Sequence, residues 1–515
     1  MIRQFVPVAL MSMGAFAAAL PEAAADLPLT WGGREEHPAV VNPVLGNEAG
    51  SVLSLRGEWE FSTQCRTLGR NCIWQPFYKA KTWGDTRTIQ VPGCWEAQGV
   101  GEPGDGECWD AVWDHNAKPI RHKHMGNGWY RKTVKIPAAW KGKRVWLKVG
   151  GVKSAGWFWV NDRQVALVDN YCGTYKYEVT DLVTPGEDAK VVVLVKNDVP
   201  SRKGLFSAMH RWGGIYRDVE FEATQQTFID DAWVRGLFDE KAAEVHVEVC
   251  ANAARGAPQT CQLRVTIDGR VVEQTLKPSN SQTLKLPLAD FHPWSPEHPN
   301  LYTARVDLVV GGQVIQTRHE RFGVRKFEVR GKEFYLNGKP FYVRGFGDDH
   351  VYPMTGLTPP DREFHRAHLA KARAAGFNFV RLHTHTELPE YYEAADELGI
   401  MIEPELPYYS DSPTEGFAFD PKRDVTELWR HFRRHPSFAV YSMGNEGSFG
   451  PTLDSRLHAY VKAMDPDRLK INQDCQSEKI NPPEAADYLG GPIKPWPRGS
   501  FNPERPFVTH EYLNL

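Results

Sequence analysis

Two rhythms divide the chain. From Leu53 to about Ala223, apolar and polar positions alternate in short runs such as "RVWLKVGG" (Arg144–Gly151), "GWFWVNDRQVA" (Gly156–Ala166) and "AKVVVLVKND" (Ala189–Asp198). Gly, Asn and Asp separate these runs, and period-two alternation between turn residues predicts the strands of a sandwich or jelly roll. A second alternating segment runs from Phe228 to about Arg325, through "AEVHVEVCAN", "CQLRVTIDGR" and "LYTARVDLVVGGQVIQ". Asp268-Gly269 predicts a tight hairpin within it. About 100 residues of this kind suit an immunoglobulin-like sandwich.

After Phe327 the period lengthens. Apolar runs that read as strands, "KPFYVRGFG", "FNFVRLH", "IMIEPEL", "FAVYSMGNE", "RLKINQD", "ADYLGG" and "PFVTHEY", are interleaved with helical patterns. The first helix, "TPPDREFHRAHLAKARAAG", is expected to take Thr358 as its N-cap and to stop at Gly376. The others are "LPEYYEAADELG", "DPKRDVTELWRHFRRHPS" and "TLDSRLHAYVKAMD". Repeated βα units with apolar strands predict a parallel sheet with helices outside, here a (β/α)8 TIM barrel. Only seven strands can be counted before Leu515, so the expectation is a barrel truncated before its eighth strand. The predicted division is a signal peptide over 1–25, a jelly-roll sugar-binding-like domain over 26–225, an immunoglobulin-like sandwich over 226–326 and an incomplete barrel over 327–515.

Polar residues cluster where these strands end. Arg344, Asp348, Asp349 and His350 follow the first, Arg381, His383 and His385 the second, and Glu403 and Glu405 lie on the third. Asn445 and Glu446 close the fourth, and His510 and Glu511 the last. In a barrel, strand C-termini converge on one cavity. Two carboxylates facing across it suit glycosidic bond cleavage, one as acid and the other, at about 5–5.5 Å, as nucleophile. Asn445 is placed to bind a sugar 2-hydroxyl, and Arg381 and the histidines to tune the nucleophile and hold hydroxyls. His383 and His385, two apart, point the same way on a strand and raise a metal site as a rival. No His-Glu-x-x-His spacing occurs, so no metal and no cofactor are expected.

Composition narrows the function further. The net charge of −3 over 515 residues, without basic clusters, speaks against a nucleic-acid or membrane-surface partner. Arg3, an apolar run from Phe5 to Leu20 and Ala23-Ala24-Ala25 read as a cleavable signal peptide, so a secreted or periplasmic location is expected, with no membrane contact after cleavage. Of eight Cys, Cys65 with Cys72 and Cys250 with Cys261 are close enough in sequence to suggest pairs in an oxidising compartment. The aromatic content, 17 Trp, 18 Tyr and 25 Phe, fits both packed β-cores and stacking on sugar rings. Oligomeric state is not encoded in any of these features.

At the strand-end residues the sequence resembles glycoside hydrolase family 2, the β-galactosidases, β-glucuronidases and β-mannosidases. "RHPSFAVYSMGNE" (Arg434–Glu446) is similar to the segment around the family's acid/base glutamate, and "RPFVTHEY" (Arg505–Tyr512) to its nucleophile strand. "FYLNGKPFYVRG", "GFNFVRLHTH", "NGWYRK" and "RWGGIYRDV" resemble its barrel and sugar-binding jelly roll. The resemblance implies Glu446 as acid/base, Glu511 as nucleophile, and Asn445, Arg381, His385 and His350 lining the sugar site. It also implies Tyr488 as a tyrosine contacting the nucleophile. The expected partner is an oligosaccharide or polysaccharide-derived β-glycoside, cleaved with retention and β-galactosidase-like in preference. The alternatives are a β-glucuronide or β-mannoside substrate, a non-catalytic carbohydrate-binding protein, an inactive fragment, or a metal-dependent hydrolase. Leu513 where the family often has Gly, and Gly447 where β-galactosidases continue with Ser, depart from the pattern.

Overall fold

The computed structural model describes residues 40–41, 51–64, 76–103, 122–169, 172–198, 212–238, 243–253, 260–277, 281–288, 290–349, 352, 357–408, 420–445, 447–472, 482–492 and 504–511. The predicted signal peptide and the Cys65–Cys72 pair lie outside them. No helix among the described residues is long and apolar enough to cross a membrane.

The first alternating segment forms two facing antiparallel sheets. The larger runs in the order 163–168, 155–160, 188–196, 127–135, 57–62 and 87–91, and the other in the order 40–41, 174–178, 144–149, 219–224 and 52–54. Phe61, Tyr130, Trp140, Leu147, Phe158, Val191, Val193 and Phe221 fill the space between them. The run Val191–Val195 is apolar at every position because both of its faces are covered. Val191, Val193 and Val195 face the sandwich core, whereas Val192 and Leu194 pack with Trp83, Trp129 and Trp159 on the other side.

The second segment is a three-stranded sheet (227–238, 243–253, 281–288) against a four-stranded one (270–276, 261–267, 302–310, 313–322). Asp268 and Gly269 both take positive φ, 47° and 76°, as a type I′-like hairpin demands. The suggested Cys250–Cys261 pair is not formed, since Cys261 is a buried free thiol. The two cysteines belong to strands of different sheets, and proximity in sequence was a poor guide to proximity in space.

The third segment opens with a small antiparallel sheet, 327–330, 333–336 and 339–341. "KPFYVRGFG" is thus split: Lys339–Phe341 turns back on its neighbour, and barrel strand 1 is only Gly345–Asp348. Barrel strands 2 to 7 are Phe379–Leu382, Met401–Pro404, Val440–Ser442, Leu469–Ile471, Leu489–Pro492 and Phe507–Glu511. Strands 1–2, 2–3, 4–5 and 6–7 pair in parallel, and bridges Ile402↔Phe438 and Glu405↔Ser442 join strands 3 and 4. Among the described residues seven such strands are present, paired as strands 1 to 3, 4 with 5, and 6 with 7. Helices α1 (Arg362–Ala374), α2 (Pro389–Leu398), α3 (Pro421–Phe432) and α4 (Pro451–Met464) alternate with them. The cap of α1 is Asp361, whose carboxylate accepts from the amides of Glu363 and Phe364, and not Thr358. Thr358 is buried three residues earlier, beside His365. A carboxylate at the positive helix end is the stronger cap.

The jelly roll docks directly on the barrel. Cys94, Cys172, Trp212 and Tyr216 share one buried cluster with Leu382, Leu388, Tyr392 and Tyr408. Glu427 of α3 reaches into the jelly roll, where it accepts from the amides of Cys172 and Gly173, each at 3.2 Å, and from the Tyr175 hydroxyl.

Candidate active site

Strand 2 is completely buried, so its one charged residue must find partners inside the protein. Arg381 does so by bridging two neighbours. Its Nε donates to Glu405 Oε1 at 2.6 Å, and its Nη2 to Asn445 Oδ1 at 2.5 Å. Glu405 is fully buried, and its other oxygen accepts from the Thr384 amide at 2.7 Å. Strands 2, 3 and 4 are thereby tied together at their C-terminal ends. The bond to Oδ1 also fixes the orientation of Asn445, leaving its Nδ2 to donate elsewhere.

Local backbone geometry supports this arrangement. Gly444 takes a φ of 130°, and a Cβ there would lie 2.6 Å from the Tyr408 carbonyl oxygen. That carbonyl accepts from the Asn445 amide at 2.9 Å, so only glycine permits the close approach that sets Asn445. Thr384 is left-handed, with φ of 57°, an uncommon conformation for a β-branched residue.

A second carboxylate lies two residues before Glu405. Glu403, on strand 3, is fully buried. It accepts from the Tyr488 hydroxyl at 2.6 Å, and His510 Nε2 is 3.5 Å from its other oxygen. Burial raises its pKa and the neighbouring Glu405 charge adds to the shift, whereas His510, Tyr488 and Arg381 oppose it. Tyr488 itself immediately precedes strand 6, packed edge-on against Phe334. Its hydroxyl therefore serves Glu403, a residue the sequence placed at a strand end without giving it a role.

His385 has no exposed surface. Its Nδ1 is 2.9 Å from the His383 carbonyl oxygen, and its Nε2 is 3.5 Å from Glu387 Oε1. Burial lowers its pKa, but the nearby Glu387 carboxylate, with the charge of Asp348, leaves it raised overall. Glu387 was missed by sequence reasoning, although it lies two residues beyond His385 in "HTHTE".

Of the seven predicted site residues, Arg381 and Asn445 are brought into direct contact, and His385 and Tyr488 are buried on neighbouring carboxylates. Glu511 ends strand 7, where its backbone is in register with Pro492 of strand 6, and its side chain lies outside the described structure. Glu446 and His350 lie outside the described residues.

Comparison with known proteins gives a consistent result. A Bacteroides fragilis β-glucuronidase is 28% identical over 449 residues, covering 80% of this chain and 61% of the relative. A Leuconostoc mesenteroides β-galactosidase is 25% identical over 448 residues, covering 81% and 42%. The chain thus spans about two fifths to three fifths of the length of these curated relatives. Among solved structures, a glycosyl hydrolase family 2 member from Bacteroides cellulosilyticus superposes with a TM-score of 0.71 at 22% identity, covering 85% of this chain and 58% of that one. A β-glycosidase from Bacteroides vulgatus gives 0.70 at 21%, covering 86% and 56%. The family model "Glycosyl hydrolases family 2, sugar binding domain" matches residues 52–224, "Glycosyl hydrolases family 2" matches 227–325, and "Glycosyl hydrolases family 2, TIM barrel domain" matches 327–480. Three consecutive domains of one family, in the order of jelly roll, sandwich and barrel, mean that this chain belongs to glycoside hydrolase family 2.

Proposed function

We propose that the protein is an exported retaining β-glycosidase that removes terminal β-linked sugars, with Glu446 as acid/base and Glu511 as nucleophile. The Glu511 carboxylate attacks the anomeric carbon while Glu446 gives its proton to the departing glycosidic oxygen. A glycosyl ester results. Glu446 then takes a proton from water, whose oxygen attacks the same carbon, and the ester bond to Glu511 breaks. Two inversions give net retention. A β-galactoside is the preferred substrate, with a β-glucuronide or β-mannoside as the alternative; relatives named β-glucuronidase and β-galactosidase support the first two classes without ranking them.

The observation that carries this reading is the Arg381–Asn445 contact. It aims an amide donor from the residue next to Glu446, where a sugar 2-hydroxyl would gain a stronger hydrogen bond in the oxocarbenium-like transition state. The test uses protein expressed from the complete gene. Glu446→Gln and Glu511→Gln should each reduce hydrolysis of a nitrophenyl β-glycoside by about a thousandfold or more. Wild-type rates in either variant would remove that residue from the mechanism. Calorimetric sugar binding without turnover, with both glutamates intact, would instead favour a carbohydrate-binding protein. Comparing nitrophenyl β-galactoside with β-glucuronide distinguishes the substrates.

A further inference from the structure

Asp348 ends strand 1, and His385 and Glu387 follow strand 2. One donor atom from each lies within 4.8 Å of the other two. His385 and Glu387 are fully buried, and Asp348 is partly so.

The histidine's orientation bears on what belongs between them. A carbonyl oxygen can only accept, so the 2.9 Å contact with the His383 carbonyl places a proton on Nδ1 of His385. Nε2 is then the atom turned toward the carboxylates. Its 3.5 Å separation from Glu387 Oε1 is longer than an N–H···O bond and suits two ligands of a common centre. Imidazole held through Nδ1–H by a backbone carbonyl is the usual outer-shell support of a metal-bound histidine. The carboxylates are supported likewise. The Tyr352 hydroxyl donates to Glu387 at 2.9 Å and the Tyr391 hydroxyl to Asp348 at 3.3 Å, with His368 Nε2 also 3.3 Å from Asp348.

We propose that Asp348, His385 and Glu387 form a binding site for one divalent cation of the zinc or manganese class. Metal–ligand distances of about 2.0–2.4 Å place any two donors no more than about 4–4.8 Å apart, which these atoms satisfy. One nitrogen and two carboxylate donors favour a borderline cation over magnesium or calcium. The ion would join the loop after strand 1 to the loop after strand 2 and offset two buried negative charges. Its binding is measured without turnover, so the test does not depend on the two-glutamate chemistry.

The experiment takes the chelator-treated full chain and titrates it with Mn2+, followed by electron paramagnetic resonance of the free ion, and with Zn2+ by calorimetry. One saturable site per chain is expected, weakened at least about tenfold by His385→Ala and by Glu387→Gln. The glutamine variant keeps side-chain volume and an acceptor for Tyr352, so it reports even if the alanine variant does not fold. Absence of saturable Mn2+ or Zn2+ binding, or a site unaffected by Glu387→Gln, would overturn the proposal.

Discussion

Arg381 holds Asn445 by its amide oxygen while Glu405 holds Arg381. The asparagine orientation is therefore set two residues away, by a carboxylate with no exposed surface. Removing charge from Glu405 should disturb Asn445 without touching the substrate. A buried guanidinium needs its partners, because an uncompensated charge in the interior costs several kcal/mol.

Glu405→Gln retains the shape and one acceptor of the glutamate but weakens its grip on Arg381. It should lower kcat/KM on an aryl β-glycoside by about 10- to 100-fold. The same change should cost less on the matching 2-deoxy glycoside, which lacks the hydroxyl assigned to Asn445. Equal losses on both substrates would show that Glu405 does not act through Asn445.

Gly444→Ala addresses the same residue through the backbone. The added methyl would meet the Tyr408 carbonyl at 2.6 Å, and φ of 130° disfavours any side chain. Relief of the clash must move the Tyr408–Asn445 hydrogen bond. A displacement near 1 Å in a positioning group can cost about a hundredfold in rate. Steady-state kinetics on a variant with native circular dichroism should show that loss. Unchanged kcat/KM would mean that the turn adapts freely.

Much of this arrangement was legible before the structure. Period-two runs and the change of rhythm after Phe327 identified three domains of the right kinds, because hydrophobic alternation directly encodes which face is buried. Asn445 and Arg381 stood out because polar residues ending apolar strands need a reason to be there, and the fold brings the two into contact. The Arg381–Glu405 bridge was not found, since pairing across strands depends on register and side-chain reach. Asp361 displaced Thr358 as the cap of α1 for a local reason: both can cap, and the sequence does not say where the first turn begins. Tyr488 was expected to contact the nucleophile, and its hydroxyl meets Glu403 from just before strand 6, a path no strand-end rule describes.

The docking of jelly roll on barrel depends heavily on Glu427. Its carboxylate is 1% exposed and satisfies two backbone amides of the other domain. Glu427→Ala would take this acceptor from both amides and from the Tyr175 hydroxyl. About 3 kcal/mol of destabilisation is expected, against about 1 kcal/mol for Glu427→Gln, which keeps an acceptor. Urea unfolding followed by tryptophan fluorescence should show an earlier first transition in the alanine variant. A midpoint matching the wild type would show that the apolar cluster alone holds the domains together.

Glu96 supplies a pH dependence with a definite sign. It lies in the jelly roll, where one oxygen accepts from the Gly213 amide at 3.1 Å and from the Cys94 thiol at 3.0 Å. Burial raises its pKa from 4.5 to about 7. The folded protein therefore binds a proton that the unfolded chain releases between pH 4.5 and about 7. Stability falls as pH rises through that window, by an amount on the order of 3 kcal/mol once both states are ionised. Glu96→Gln can keep its oxygen on Gly213 and Cys94 and place its NH2 at the other position, and it carries no charge at any pH. Thermal unfolding should find the variant close to wild type at pH 5 and more stable than wild type at pH 8. A difference between the two proteins that stays constant from pH 5 to pH 8 would mean that Glu96 ionises normally in the folded state.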